Sequence, residues 1–176
     1  MYKKQQDKKK ADQAQTTKKA PKYKLAAEPY TDSETGVYVY YPEGWTVTKG
    51  GADEPLVTVT NPTPDKTDAG TPFPASMNLV AGESTSGLTL ETLTTETIVQ
   101  LKKAYPDYTV IESRTTKTAA GTAIQIIDAT FTQEGVKIRI LQGIIVGDAT
   151  YGALSAGALA SAWDYYKDVY LEAMLK

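Results

Sequence analysis

The 176-residue chain contains neither cysteine nor histidine. Without thiols it forms no disulfide and offers no thiolate to a metal. Without imidazole it lacks the one side chain whose unperturbed pKa lies near neutrality, and with it the usual ligand of zinc, copper and haem. No serine stands three residues before a lysine, no Gly-x-Ser-x-Gly elbow is present, and no glycine-rich loop ends in Gly-Lys-Ser/Thr. The common nucleophile and phosphate-cradling arrangements therefore have no carrier here, and the chain is not expected to be an enzyme. No apolar run reaches the roughly 18 residues of a membrane-crossing helix. Nor does the N-terminus hold the apolar stretch of an intact signal peptide.

What is present is divided by charge. Residues 1–24 carry nine lysines against Asp7 and Asp12, a balance of +7, while the remaining ten Lys and Arg face nineteen acids, a balance of −9. The overall −2 thus hides a basic tail on an acidic body. Residues 1–27 are Lys, Gln, Ala and Thr with little to bury, so they are expected to be a disordered tether. Residues 28–176, with 41% apolar content in the chain as a whole, suit one folded domain.

Within that domain the residue pattern alternates between two periods. Residues 36–41 (GVYVYY) are β-branched and aromatic and stop at Pro42. Pro42-Glu43-Gly44 is turn chemistry, so residues 45–48 (WTVT) read as the returning strand. Residues 56–60 (LVTVT) alternate as a half-buried strand. Residues 61–74, with Pro62, Pro64, Gly70, Pro72 and Pro74, read as loop. Residues 75–81 resume strand character. Leu90, Leu93, Thr97 and Leu101 then recur at helical spacing, capped by Thr89 or Ser86 and stopped at Tyr105-Pro106. Four strands follow over residues 108–115, 122–132, 136–146 and 150–155, the middle pair closed as a hairpin by Gln133-Glu134-Gly135. A last helix is expected over about residues 159–175, with Trp163, Tyr166, Val169, Tyr170 and Ala173 on one face. Strands joined by short turns, with two helices between and after them, predict an α+β domain: a central antiparallel sheet flanked by two helices.

One motif is more specific. A strand closing in Tyr-Pro-x-Gly-Trp (Tyr41, Pro42, Gly44, Trp45) resembles the opening signature of the PsbP-like family. The preceding residues 30–36 (YTDSETG), residues 75–80 (ASMNLV) and the last helix are similar to family segments as well, so the likeness spans roughly residues 30–176. The resemblance implies a PsbP-like α/β/α sandwich, a fold shared with a nuclear import factor that binds the small GTPase Ran. It places the chain in a bacterial lipoprotein branch, beside an extrinsic lumenal subunit of photosystem II. It also implies binding or assembly rather than catalysis. Metal sites in plant members lean on histidine; none is carried over, and no cofactor is expected.

The candidate partner-binding residues are Tyr38, Tyr40, Asp65 and Asp68. Tyr38 and Tyr40 share one face of their strand, opposite Val37, Val39 and Tyr41. On a wet face they would form a partner-binding patch; the family architecture covers both faces, so they are expected in the core, as are Trp45 and Trp163. Asp65 and Asp68 sit in the acidic loop, which reads as a solvated tip or as a weak calcium holder, although its spacing fits no calcium loop. The tether reads as the start of a mature bacterial lipoprotein, Met1 standing where the lipidated Cys was, with lysines that attract anionic headgroups. A plain solubilising tail is the other reading; a nucleic-acid arm is not expected, because Arg and interleaved aromatics are missing and the body is acidic. The expected function is a non-catalytic, membrane-anchored extracytoplasmic module binding a protein or envelope component. A carboxylate-based hydrolase or calcium-dependent enzyme, and an accessory subunit of a membrane complex as in photosystem II, are the alternatives.

Overall fold

The longest apolar alternations of the sequence become the middle of a sheet. In the computed structural model, which describes residues 22–176, the strands are β1 (Tyr30–Thr31), β2 (Tyr38–Val39), β3 (Thr46–Lys49), β4 (Val57–Thr60), β5 (Asp65–Lys66), β6 (Pro72–Phe73), β7 (Ser76–Glu83), β8 (Thr109–Lys117), β9 (Ala123–Gln133), β10 (Val136–Val146) and β11 (Thr150–Leu159). Helix α1 (Leu90–Ala104) lies between β7 and β8. A 3-10 turn (Ala160–Tyr165) and helix α2 (Lys167–Leu175) close the chain.

Seven strands form one antiparallel sheet in the order β3-β4-β7-β11-β10-β9-β8. The β9–β10 hairpin turns on two residues, Glu134 (φ 51) and Gly135 (φ 78). Positive φ at both central positions is the two-residue turn whose twist suits a hairpin, and glycine takes it at no steric cost. β8 forms one edge; a bulge between Val110 and Glu112 leaves Ile111 exposed.

Because side chains alternate across a strand, each face carries its own apolar cluster. Ile124, Ile126, Leu141 and Leu154 join Trp163, Tyr166, Val169, Tyr170, Ala173 and Met174 of the C-terminal segment. Ile127, Ala129, Phe131, Ile138 and Ile140 on the other face meet Leu90, Leu93, Ile98 and Leu101 of α1. The C-terminal stripe read from the sequence is buried throughout, as are Trp45 and Trp163. Helix α1 starts at Thr89, whose hydroxyl accepts from Thr92 N at 3.1 Å in a capping box, and Lys102 and Lys103 lie in its last turn.

The large sheet dominates more than expected, and the simple picture of two flanking helices is modified. The last helix begins late: β11 runs on to Leu159, then a 3-10 turn precedes α2, because Ala156 and Ala158 fit the pleat of a fully covered sheet as well as they fit a helix. Helix α1 has no fully buried residue, so its layer is thin. The returning strand is also reassigned: β3 pairs with β4, and β2 pairs with β1 in a separate two-stranded ribbon. The loop over residues 61–74 contains a second small ribbon, β5 with β6.

Of the expected tether, residues 1–21 lie outside the described residues, whereas residues 22–27 run along the domain. Ala26 N donates to Tyr41 O at 2.8 Å, Glu43 N to Lys24 O at 2.9 Å, and Lys22 N to Tyr165 O at 3.2 Å. Tyr23 stacks on Tyr166 with ring centroids 5.2 Å apart and meets Trp45 edge-on at 5.5 Å. One aromatic residue in a lysine-rich stretch escapes a compositional reading, yet it finds a cage of rings.

Candidate functional site

The chain between β1 and β2 is held by one carboxylate. Asp32, 1% exposed, accepts at Oδ1 from Glu34 N (3.2 Å), Thr35 N (2.9 Å) and Thr35 Oγ1 (2.9 Å). Lys49 Nζ of β3 stands 3.4 Å from Oδ2. The turn ends at Gly36 (φ 70), a conformation that glycine adopts freely. The backbone N–H and hydroxyl of Thr35, then Lys49, hold the Asp32 carboxyl below the usual carboxylate range. Its folded pKa thus lies under the unfolded value of about 3.9, so its stabilisation is complete above that value and is lost as pH falls through the folded pKa. Asp32→Asn is expected to lower the melting temperature at neutral pH, with the gap to the parent closing in acid. Asp107, held low by the hydroxyl and backbone N–H of Thr132, keeps part of the acid sensitivity in both proteins. Melting curves between about pH 3 and pH 8 check this; a gap independent of pH would remove the carboxylate from the account.

That turn presents Tyr38 and Tyr40. The core expectation fails for Tyr38, which is 50% exposed; Tyr40 is partly buried. The ribbon β1–β2 stands outside the main sheet, so only Val39 (4% exposed) is fully covered. The two tyrosine rings pack edge-on at 6.1 Å, and Lys176 Nζ lies 5.1 Å from the Tyr40 ring centroid.

Together the tyrosines wall a cleft of about 290 Å³. Its floor is one face of the sheet: Leu79 of β7, Gly152 and Leu154 of β11, Gly143 and Ile145 of β10, Ile124 of β9. Ala173 and Met174 of α2 form the inner side, and the β8–β9 turn closes one end, where Ala119 N donates to Leu175 O at 2.6 Å. Among its lining residues Lys176 alone is charged, and none is acidic. Such a site suits apolar groups.

The floor glycines differ. A Cβ at Gly143 would press Ile124 Cδ1 and Met174 Cγ at 3.1 Å each, whereas one at Gly152 would meet only Val80 O at 4.0 Å. Gly143 therefore lets Met174 approach the sheet, and Gly152 leaves space empty. A glycine inside each of two apolar strands was the sequence signal for this site, since strand glycine often marks a close approach or a ligand. The remaining floor residues look like ordinary core.

The candidate acids are not brought to the cleft. Asp65 of β5 accepts the hydroxyl proton of Tyr166, to which Asn61 Nδ2 also donates at 3.2 Å while bonding Tyr23 Oη at 2.8 Å. Burial, and next the hydrogen bond to Asp65, push the Tyr166 hydroxyl far above its ordinary pKa. Asp68 is exposed in the turn between β5 and β6. Among the described residues no group of three or more Asp or Glu is placed to hold a metal ion.

Comparison with solved structures fits this arrangement of sheet and helices. The cyanobacterial PsbP protein CyanoP from Synechocystis superposes with a TM-score of 0.63 at 13% identity, over 83% of this chain and 88% of that one. The fold is PsbP-like. The PsbP-like architecture also appears in LpqN of Mycobacterium tuberculosis, a protein involved in cell envelope biogenesis, with a TM-score of 0.66 at 12% identity over 86% of this chain and 89% of that one. PA94 of Pseudomonas aeruginosa, a protein of unknown function, gives 0.58 at 12% identity over 87% and 95%. By sequence alone the chain matches no protein-family profile and no characterised protein. At such identities the PsbP-like fold is shared and the ligand does not follow from it.

Proposed function

We propose that this PsbP-like domain is a non-catalytic, extracytoplasmic binding module whose cleft takes a small apolar ligand, an aromatic ring or short alkyl chain. The observation that carries the reading is the semi-enclosed, acid-free cavity of about 290 Å³ walled by Tyr38 and Tyr40. Its size is near the lower end of ligand sites and too small for a helix or a folded partner. Tyrosine is favoured at such places because it joins apolar area to a polar tip.

The location rests on other support. LpqN is involved in cell envelope biogenesis, and the lysine-rich leader suits a leash beside anionic headgroups. No helix among the described residues is long and apolar enough to cross a membrane. Attachment in this reading is by an N-terminal lipid on the native precursor.

Titration with N-phenyl-1-naphthylamine, a neutral probe that brightens in apolar sites, is expected to saturate with a dissociation constant on the order of 10 μM. Cells producing the native precursor are expected to return the protein in the membrane fraction, labelled by radioactive palmitate. A linear, unsaturable titration would remove the ligand half of the proposal, and an unlabelled protein in the soluble fraction the anchoring half.

A further inference from the structure

On the opposite face of the sheet, helix α1 covers β9 and β10 and leaves the β4–β7–β11 side open. There a row of neutral hydrogen-bonding side chains crosses four neighbouring strands in register: Thr58, Asn78, Ser155 and Gln142. At the usual strand spacing the row is about 14 Å long. Thr58 Oγ1 donates to Asn78 Oδ1 at 2.9 Å, and Gln142 Nε2 to Ser155 Oγ at 2.9 Å. Tyr108 Oη donates to Gln142 Oε1 at 3.3 Å. These bonds orient the amides and leave the Asn78 Nδ2 hydrogens and the Ser76 hydroxyl to a partner in the groove.

The groove above that row, of about 270 Å³, has aromatic sides: Phe73 of β6, Tyr105 at the end of α1 and Phe131 of β9, the last two stacked at 4.0 Å. None of its lining residues is charged, on a body that carries −9. The lining has no cation to hold a phosphate or carboxylate and no anion to hold an amine. A neutral polyhydroxyl compound meets both features, since its hydroxyls pair with amides and hydroxyls while its C–H faces lie on aromatic rings. The part of the row that lines the groove, Asn78, Ser155 and Gln142, spans two strand spacings, about 10 Å, which is room for more than one sugar ring. We infer that this groove is a second binding site, specific for a neutral oligosaccharide laid across β7, β11 and β10. It is separate from the tyrosine cleft and does not depend on the reading of that cleft.

The test is a titration of the isotope-labelled protein with maltotriose, cellotriose and triacetylchitotriose, followed by amide NMR shifts. At least one sugar is expected to give saturable shifts at Ser76, Asn78 and Ser155, with a dissociation constant on the order of 1 mM. Asn78→Ala, which removes one set of donors from a partly exposed position, is expected to weaken it about fivefold. Tyr105→Ala is expected to weaken it by a similar factor through the lost ring. Both variants are expected to keep the dispersed amide spectrum of the parent away from the groove, which reports that the sheet is intact. Absence of saturable shifts with all three sugars at about 10 mM, or shifts unaltered in both variants, would overturn the inference.

Discussion

Gly152→Leu is expected to abolish probe binding in the tyrosine cleft while leaving the domain folded. The position is unusual in that both halves of this expectation come from one measurement of space. A Cβ there finds no atom nearer than 4.0 Å, so the first carbon of a side chain enters without a clash, and the rest of a leucine is expected to occupy the cavity lined by Leu79, Leu154 and Met174. Gly152 has no left-handed backbone to defend, and glycine in a strand interior costs roughly 0.5–1 kcal/mol relative to alanine. Leucine thus buries apolar area in an existing gap, and the melting temperature should stay level or rise. Binding of N-phenyl-1-naphthylamine should fall by at least about tenfold, equivalent to some 1.4 kcal/mol. A Gly152→Leu protein that binds the probe like the parent would place the probe elsewhere and leave the cleft without a role.

The second large effect concerns Tyr23, which composition assigns to the leash. Its ring lies between Tyr166 and Trp45, and its hydroxyl takes a hydrogen bond from Asn61, itself 2% exposed. Tyr23→Ala removes a stacked ring and leaves a buried amide short of a partner. Truncation of a buried aromatic costs about 3–5 kcal/mol; for a ring that is only partly buried, about 2–4 is expected. For a domain of this size that corresponds to a fall of roughly 5–15 °C in melting temperature. A chain begun at Glu28 should lose at least as much, because it also forfeits the hydrogen bonds of Lys24 and Ala26 to Glu43 and Tyr41. Thermal melts of the two variants check this; melting within about 2 °C of the parent would return Tyr23 to the tether.

The two cases mark where a linear reading stops. Periodicity placed the strands that became β9 and β10 and the buried stripe from Trp163 to Ala173; residue type placed a hairpin turn within Gln133-Glu134-Gly135 and a cap at Thr89 or Ser86, of which the structure uses Glu134-Gly135 and Thr89. Each depends on residues within one or two turns or a few strand positions, so the information is local. The Tyr-Pro-x-Gly-Trp resemblance supplied a PsbP-like fold that the solved structures match. Pairing was less legible. Whether residues 45–48 return along β2 or leave for β4 is decided by which apolar surface each strand covers, and both turns are compatible with Pro42-Glu43-Gly44.

The candidate site divides in the same way. Tyr38 and Tyr40 were visible as an exposed-or-core choice, and only the standing of their ribbon outside the main sheet made one ring wet and aimed the pair at a cavity. Asp32, which holds that ribbon, was not singled out in the sequence; it stood within residues 30–36, similar to a family segment as a whole. Asp65 read as a loop-tip acid, and folding set its carboxylate against Tyr166, a residue 101 positions away.

What the order of residues determined by itself was chemical repertoire and local form: no thiol or imidazole, a basic leader on an acidic body, and the periods of strands and helices. What only the tertiary structure decided was where matter is missing. A cleft beneath two tyrosines and a groove over β7, β11 and β10 are gaps between segments distant in sequence. Close packing fills nearly every such gap in a folded chain, so one that stays open is a property of the assembled layers and of no segment alone.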